Sequence, residues 1–477
     1  MARKLIHSFI WEFSGRIGGQ FVSFFIGIIL ARLLSPAEFG LIGMAMVFIA
    51  ISEIFTNLGL SSALVQRENP TEAHYSSSFF LNLSASGILA LMFSLISPLI
   101  ADFFNSPELT NIIRLLSLTL VLSSLTVVQE ARLRKFLRFD ILTKAKLISS
   151  FIGGIIGILM AWQGFGVWSL VIQVLFSRIM LSSYYWFVSD WKPKLIFKFK
   201  AIKELWSYSF NLFISGIINT TFSQLDSIII ARAFSAVDLG LYARAKSLNG
   251  FVIKYSSESI GAITFPAMAA IKNDKEKMLA LGLKAETLIA FVSFGLLGWL
   301  YVSAESLILA LLGQKWAPSI AIFKILCLSG FAYPLSSATL SMLKAAGFSK
   351  SFLRVEIWKN LVYVSGLSLG FLFGLKGYLI SLIFIGVIGV WLNMFYTGRA
   401  LGISVSHQLK PLFIYLFISV GSAVVVSLIP KFTQINVINF VMISIAFAFV
   451  YLGTNVLIGT SGWQSFKLQT VAIFKKR

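Results

Sequence analysis

Ile28–Leu41 reads IILARLLSPAEFGL, and Ile228–Leu241 reads IIIARAFSAVDLGL. Seven of these 14 positions are identical, where roughly one match is expected of unrelated residues, so the stretch is an internal repeat. Both copies prescribe the same local structure. An apolar helix ends at Arg32 or Arg232, a serine follows at 35 or 235, and an acid stands three residues later, Glu38 or Asp238. That spacing suits a capping box, in which the serine oxygen and the acid each satisfy a free backbone N–H of the next helix. Pro36 occupies the first helical position of the first copy, where its missing N–H is harmless. Each copy is therefore expected to form a tight helical hairpin, one in each half of the chain.

The surrounding composition says what solvent those helices meet. Of 477 residues 57% are hydrophobic and 12% charged, with a mean hydropathy of +0.86. A soluble chain carries about twice that share of charge. Apolar runs of 18 or more residues recur along the length, the mark of a polytopic helical membrane protein. The weakly alternating segments of an outer-membrane barrel are absent. The opening MARKLIHSFIWEF has a basic patch before apolar residues but no small-x-small cleavage site, and is read as an uncleaved first span. The single cysteine, Cys327, excludes an intramolecular disulfide and reads as a core thiol.

A net charge of +21 raises the question of nucleic acid, and its distribution answers it. Of the 40 Lys and Arg, 28 fall on one set of alternating connections and 9 on the other. That is the positive-inside asymmetry, a topology signal, and no nucleic-acid partner is implied. Fourteen spans are expected, at about 8–34, 40–66, 76–104, 109–131, 141–162, 165–189, 204–234, 239–270, 281–312, 320–343, 353–375, 377–399, 410–430 and 436–459. An even count places every basic connection, and both termini, in the cytoplasm.

The repeat sets the architecture. Its copies follow spans 1 and 7, an even number of crossings apart, so the two halves run parallel about a pseudo-two-fold along the membrane normal. A weaker echo pairs Ile112–Leu118 (IIRLLSL) with Ile322–Leu328 (IFKILCL), at an offset of 210 that matches Arg114 with Lys324. The expected fold is all-α, with an N-terminal lobe over 1–190, a linker over 191–203, a C-terminal lobe over 204–405, and spans 13 and 14 with a basic tail over 406–477. The linker, WKPKLIFKFKAIK, interleaves five lysines with Leu195, Ile196, Phe197, Phe199 and Ile202. Such a segment suits the anionic cytoplasmic leaflet; a hinge between lobes and a plain tether are the alternatives.

Enzyme signals are missing. His7, His74 and His407 are far apart and lack metal-ligand spacing, and no GxxxxGK[ST] loop cradles phosphates. No metal or organic cofactor is implied. What remains is charge inside the membrane, which is costly and by default functional. Glu12 and Arg16 lie in span 1, Glu53 in span 2, Arg178 in span 6, Asp226 in span 7, and Lys254 and Glu258 in span 8. Arg32, Arg232, Arg244 and Lys246 stand near the outer ends of these spans. The helices bearing the hairpins thus carry most of the buried charge and are expected to line a polar cavity between the lobes. Each residue has a plainer reading. The arginines at span ends reach headgroups or helix dipoles, and the Glu12/Arg16 and Lys254/Glu258 pairs neutralise one another. Glu130, Glu204 and Glu286 are expected near the cytoplasmic boundary as solvated carboxylates. Trp162, Trp168 and Trp191 are expected to anchor at the membrane interface.

The hairpin ARLLSPAEFGL, the GLSSALVQR that follows (Gly59–Arg67) and ITFPAMAAI (Ile263–Ile271) resemble motifs of the bacterial polysaccharide-transport family. That family lies within the multidrug/oligosaccharidyl-lipid/polysaccharide exporter superfamily. The resemblance covers nearly the full length. It implies flipping of undecaprenyl-pyrophosphate-linked oligosaccharide across the bacterial cytoplasmic membrane by alternating access, coupled to H+ or Na+, with polymerase and chain-length partners. A pyrophosphate needs cations, and Arg16 and Lys254 are the expected contacts, with Arg32, Arg232 and Arg244 beside them. Asp226 or Glu53, with Glu12 and Glu258, are the candidates for ion coupling. Competing readings are a cation-coupled exporter of drugs or small amphiphiles, a membrane glycan polymerase or ligase, and a structural scaffold. The short outer links without histidine weigh against the second, and the buried charge against the third.

Overall fold

The structure is a computed structural model describing residues 2–430 and 433–467, without the side chains of 2–10, 13, 16, 251–260, 262, 263 and 349. Among the described residues it is helical throughout, with no strand. The first helices are α1 (Ala2–Leu33), α2 (Pro36–Asn57), α3 (Leu60–Gln66), α4 (Glu72–Phe103) and α5 (Leu109–Lys135). Next come α6 (Phe139–Trp162), α7 (Val167–Val188), α8 (Phe199–Ala233), α9 (Ala236–Ala270) and α10 (Lys275–Leu311). Then come α11 (Ser319–Ser329), α12 (Ala332–Ala345), α13 (Ser349–Phe371), α14 (Gly374–Leu401), α15 (Val405–Ser427) and α16 (Asn436–Ile458).

Among the described residues eleven segments are long and apolar enough to cross a membrane, with α11 and α12 together forming one of them. Helices α1, α9 and α13 fall outside that set; the apolar part of α1 is the shorter Ile17–Leu33. The distribution of side chains identifies the solvent. Leu95 and Phe449 are 70% and 80% exposed, while Asn82, Ser86, Gln129 and Asn393 are fully buried. Large apolar groups outside and amides inside is the reverse of a water-soluble domain, and fits hydrocarbon surroundings.

Both hairpins form as the repeat prescribes. Ser35 caps α2: its backbone N–H donates to Glu38 Oε2 at 2.6 Å, and its Oγ accepts from the Glu38 N–H at 3.4 Å. In the second copy Ser235 Oγ accepts from the Asp238 N–H at 3.0 Å and donates to Asp238 Oδ2 at 2.6 Å. The two copies also meet. A Cβ on Gly40 would lie 1.7 Å from the Ala236 carbonyl oxygen, and one on Gly240 would lie 1.9 Å from that of Pro36. The contact is reciprocal, each glycine facing the first residues of the other copy's helix. Only glycine permits backbones to approach so closely.

The chain divides into two compact units, Met1–Ala243 and Arg244–Arg477. In the first, α4 packs on α5, α6 on α7 and α1 on α6. A cluster of Leu60, Leu64, Tyr75, Phe79, Val128 and Trp191 closes its basic end. In the second, α10 packs on α12, α15 and α16, and α12 also packs on α14. Phe291, Phe294, Leu335, Met394, Tyr415 and Tyr451 form its main core. A smaller cluster joins Met268, Met278, Met342, Ala345 and Leu401.

Candidate functional site

The site grows out of a break in the second span. Leu58 and Gly59 both take left-handed conformations, at φ 47° and 72°, which end α2 and start α3 on a new axis. Gly59 is required twice over: by its φ, and because a Cβ would lie 2.6 Å from the Ser209 carbonyl oxygen on α8. The Ser61 N–H donates to Asn57 Oδ1 at 3.1 Å across the break. The redirected chain then lines a cavity of about 550 Å³ with Asn57, Ser61, Ser62 and Gln66, facing Glu130 and Arg134 of α5 and Tyr208 of α8.

One turn before Asn57 on α2 stands Glu53. Its Oε1 accepts from Arg178 Nη2 on α7 at 2.5 Å, and Ser123 Oγ of α5 lies 3.5 Å away. Both charged side chains are about one-third exposed. Ionised groups at that depth do not face hydrocarbon, so their exposure is to polar space. Within the cavity wall Glu130 accepts from Arg134 Nη2 at 2.8 Å and Nε at 3.1 Å, with Lys146 Nζ of α6 at 3.4 Å. Lys135 donates to the carbonyls of Val65 and Arg67, tying α5 to the end of α3. Arg67 meets Glu204 at 2.6 Å, and His74 Nε2 lies 3.1 Å from the same carboxylate. The result is an anchored, alternately charged rim around a polar space.

Residues 191–198 run as an extended strap beside this rim. Trp191 is buried, donating its indole N–H to Glu72 Oε1 at 2.8 Å, so it is a packing residue and not an interface anchor. The backbone N–H groups of Lys194 and Lys198 donate to Ser76 and Ser77 Oγ at 3.1 and 2.8 Å. Leu195 is 95% exposed between them.

The sequence-derived candidates distribute unevenly. Glu53 stands one turn from the cavity-lining Asn57 and is partnered by Arg178, neither of the pair lining the cavity itself. Asp226 is buried instead on α8, where the Tyr242 hydroxyl donates to its Oδ2 at 2.7 Å. Arg32 and Arg232 are exposed at the ends of α1 and α8, the latter's guanidinium 5.3 Å from the Phe103 ring centroid. Glu12 and Arg244 are half-buried on α1 and α9. The side chains of Arg16, Lys254 and Glu258 lie outside the described residues. Asn57, Ser61, Ser62, Gln66, Arg134 and Tyr208 were not singled out from sequence. The signal for Ser61, Ser62 and Gln66 was GLSSALVQR itself, a glycine-led polar stretch following an apolar span. For Glu130 and Arg134 it was their i,i+4 spacing. Glu286 requires correction: it is not a solvated boundary carboxylate but 1% exposed inside the second unit.

The second unit has cavities of another kind. One of about 410 Å³ lies among α10, α11 and α15, lined by Phe294, Tyr301, Cys327, Phe331 and Leu416, with Lys324 at its wall. Another of about 260 Å³ lies among α10, α12, α14 and α15 and is almost wholly apolar. Both adjoin Gly330 and Phe331, where the tenth expected span breaks into α11 and α12.

The family model described as polysaccharide biosynthesis protein matches residues 29–321. This chain belongs to that family. The match opens on the first hairpin and takes in the second, with Glu53, Glu130, Arg178 and Asp226 between. The succinoglycan biosynthesis transport protein ExoT of Rhizobium meliloti is 27% identical over 72% of this chain and 70% of its own. The lipopolysaccharide biosynthesis protein WzxC of Escherichia coli is 22% identical over 83% and 82%. The teichuronic acid biosynthesis protein TuaB of Bacillus subtilis is 25% identical over 62% of each chain. Among solved structures, the lipid II flippase MurJ in an inward closed conformation superposes with a TM-score of 0.71 at 16% identity, over 94% of this chain and 100% of that one. An inward-facing multidrug resistance transporter of the MATE family gives 0.63 at 16% identity, over 82% and 96%. These two likenesses are of fold. They place the family member in a MurJ- and MATE-like helical membrane fold.

Proposed function

We propose that this chain is a flippase, not an enzyme. It carries an undecaprenyl-pyrophosphate-linked oligosaccharide from the cytoplasmic to the outer leaflet of the bacterial cytoplasmic membrane by alternating access. The family match over 29–321, with a relative named for succinoglycan transport along seven-tenths of its length, carries this reading. The chemistry agrees with it. A sugar pyrophosphate headgroup does not cross hydrocarbon unaided, and needs polar space with cations near it. The cavity lined by Asn57, Ser61, Gln66, Glu130 and Arg134 supplies polar space at about 550 Å³, within the range of roughly 300–1,000 Å³ usual for ligand sites.

Fourteen crossings form two parallel six-span lobes over 1–190 and 204–405, with the 191–203 linker between them and spans 13 and 14 appended. Both termini are cytoplasmic. Helices α1, α9 and α13 supply the crossings beyond the eleven most apolar. Arg16 and Lys254 meet the pyrophosphate, assisted by Arg32, Arg232 and Arg244. An H+ or Na+ gradient drives the cycle through Asp226 or Glu53, with Glu12 and Glu258 as further carboxylates. Polymerase and chain-length proteins take up the product.

The test is transbilayer movement by purified protein in liposomes loaded with a fluorescent, short-chain undecaprenyl-pyrophosphate oligosaccharide. An impermeant quencher outside reads arrival, with and without a pH or sodium gradient. Movement that disappears in Arg16→Ala/Lys254→Ala is the expected result. Export of small amphiphiles is the second reading, favoured by the MATE likeness. Efflux of such compounds, with no movement of any glycan headgroup, would replace the flippase with it.

A further inference from the structure

The connection from α7 to α8 carries Lys192, Lys194, Lys198, Lys200 and Lys203, all exposed. Among the described residues none of the five belongs to an ion pair. Of the two acids that flank them, Asp190 and Glu204, the second is taken by Arg67 and His74. Between the lysines Leu195, Phe197 and Phe199 are exposed as well. Cations and large apolar groups alternating on one open surface are not both satisfied by water, which suits only the cations. Hydrocarbon suits only the apolar groups. The two are satisfied together at the boundary of a bilayer, where phosphates lie above the ends of acyl chains.

The fold puts this surface at that boundary. Helix α4 has 32 residues, about 48 Å at 1.5 Å per residue, against a hydrocarbon thickness of about 30 Å. Its exposed Ile88, Leu91, Leu95 and Leu99 recur at helical spacing and mark the face turned to lipid. Ser77 precedes Leu95 by about five whole turns, so it lies on that same face, about 27 Å back along the axis. There the strap crosses. Ser76 and Ser77 Oγ accept from the Lys194 and Lys198 N–H at 3.1 and 2.8 Å, and Ser77 is buried although it lies on the lipid-facing stripe. Trp191 fixes the near end, its ring centroid 6.1 Å from those of Tyr75 and Phe79. The two serine bonds go to backbone, which leaves the lysine side chains outside. At the far end α8 begins without a side-chain cap and with no acid in its first turn, so the positive end of its dipole adds to the same surface.

We propose that residues 192–200 form a docking surface for anionic phospholipid headgroups, in the leaflet at the end of the protein where α4 and α8 begin. Lys192, Lys194, Lys198 and Lys200 meet the phosphates, while Leu195, Phe197 and Phe199 enter the acyl boundary. A zwitterionic headgroup offers the lysines no net charge, so acidic lipids are preferred. An acidic protein would match the lysines and leave the apolar side chains in water. A hinge between lobes would have to break both serine bonds, and a plain tether needs neither. The surface does not depend on what the protein transports.

Fluorescence from the strap decides the matter. Cys327 is buried, so Leu195→Cys gives the full-length protein one accessible thiol for an environment-sensitive dye. The labelled protein is placed in nanodiscs of phosphatidylcholine alone or in an equal mixture with phosphatidylglycerol, each doped with a lipid spin-labelled at the headgroup as quencher. In the mixture the emission is expected to shift to the blue and quenching to exceed that in phosphatidylcholine severalfold, with the excess removed by high salt. Lys192→Gln, Lys194→Gln, Lys198→Gln and Lys200→Gln leave the backbone bonds to Ser76 and Ser77 in place. Each is expected to lower the equilibrium constant for insertion roughly fivefold, as befits one basic residue at an anionic surface, and all four together to abolish the excess. If the dye itself displaces the strap, the unlabelled protein in detergent carries the test. Its thermal midpoint is expected to rise with dihexanoyl-phosphatidylglycerol and not with dihexanoyl-phosphatidylcholine, a difference lost in the fourfold variant. Equal quenching in the two lipid compositions overturns the proposal, since the strap is then an apolar anchor indifferent to charge. So does a dye quenched from water and not from lipid in both, the result that a tether or a protein-docking surface gives.

Discussion

The helix pair α4/α5 in the first unit and the pair α10/α12 in the second occupy corresponding places in the repeat, and their interiors differ by one charge. At the offset of 210 that aligns Arg114 with Lys324, Gln129 of α5 corresponds to Thr339 of α12. Facing these, α4 presents Ser78, Asn82 and Ser86, all buried, where α10 presents Glu286. Both layers hold side-chain atoms without hydrogen-bond partners, Asn82 and Gln129 on one side, Glu286 and Asn393 on the other. The first layer is neutral and the second is anionic. Elsewhere in the first unit Glu53 and Glu130 are each neutralised by arginine, and Asp226 is held by a tyrosine. Among the described residues these carboxylates of the first unit thus have charged or hydroxyl partners, whereas Glu286 of the second has only the Thr339 hydroxyl.

The largest expected effect tests whether the two copies must touch. Gly40→Ala places a methyl where the Ala236 carbonyl stands, and Gly240→Ala does the same toward Pro36. Backbone does not yield as a side chain does, so either change forces the hairpins apart. Transport in the liposome assay is expected to fall at least tenfold, and a cysteine placed at Val237 to become more reactive to an impermeant maleimide. Wild-type transport in both variants would reduce the reciprocal contact to an accident of packing.

The balance of the first unit is tested by breaking it. Arg178→Ala leaves Glu53 as an unpaired membrane carboxylate, and Glu53→Gln leaves Arg178 alone. Each is expected to destabilise by about 1–3 kcal/mol, less than a fully buried pair because both groups are one-third exposed. The exchange Glu53→Arg/Arg178→Glu is expected to recover the thermal midpoint. It is expected not to recover flipping if Arg178 also meets an anionic headgroup. Recovery of both functions would make the pair purely structural.

Adding the missing charge to the neutral layer sharpens the comparison further. Gln129→Glu puts into α4/α5 the carboxylate that α10/α12 already has. It is expected to lower the thermal midpoint, because burying an unpaired carboxylate is unfavourable by several kcal/mol. An unchanged midpoint would mean that water reaches Gln129, and that the layers do not differ as described.

Much of this was legible in the sequence, and the remainder was hidden for definable reasons. The hairpins were readable to the level of the cap, since S-x-x-E/D is a local pattern whose partners lie three residues apart. Membrane residence followed from composition. The Glu53–Arg178 pair was half-readable: both residues stood out as charges inside apolar spans, but pairing α2 with α7 is a tertiary fact with no local signal. Glu286 was misjudged because the sequence places Lys284 two residues away, and adjacent helix residues point to different faces. The lysine is exposed while the glutamate turns inward. Arg134 was counted only as positive-inside charge, and its place in a cavity wall depends on the break at Gly59.

The smallest expected effect separates the two hairpins themselves. Ser35 sits in a complete capping box, because Glu38 is long enough to return to the Ser35 backbone N–H. Asp238 is one methylene shorter: like Glu38 its carboxylate accepts from the serine hydroxyl, but no bond from the Ser235 N–H reaches it. Both serines accept from the backbone N–H three residues on, so Ser35→Ala and Ser235→Ala should each lose about 1 kcal/mol. The acids should not behave alike. Glu38→Gln retains an acceptor of the same reach, whereas Glu38→Ala strips the Ser35 N–H of its partner. Asp238→Ala removes a bond to a hydroxyl that is free to turn elsewhere. Thermal midpoints are therefore expected to fall more for Glu38→Ala than for Asp238→Ala. Equal losses would mean that length at this position does not distinguish the copies, and that the capping serine alone holds each hairpin.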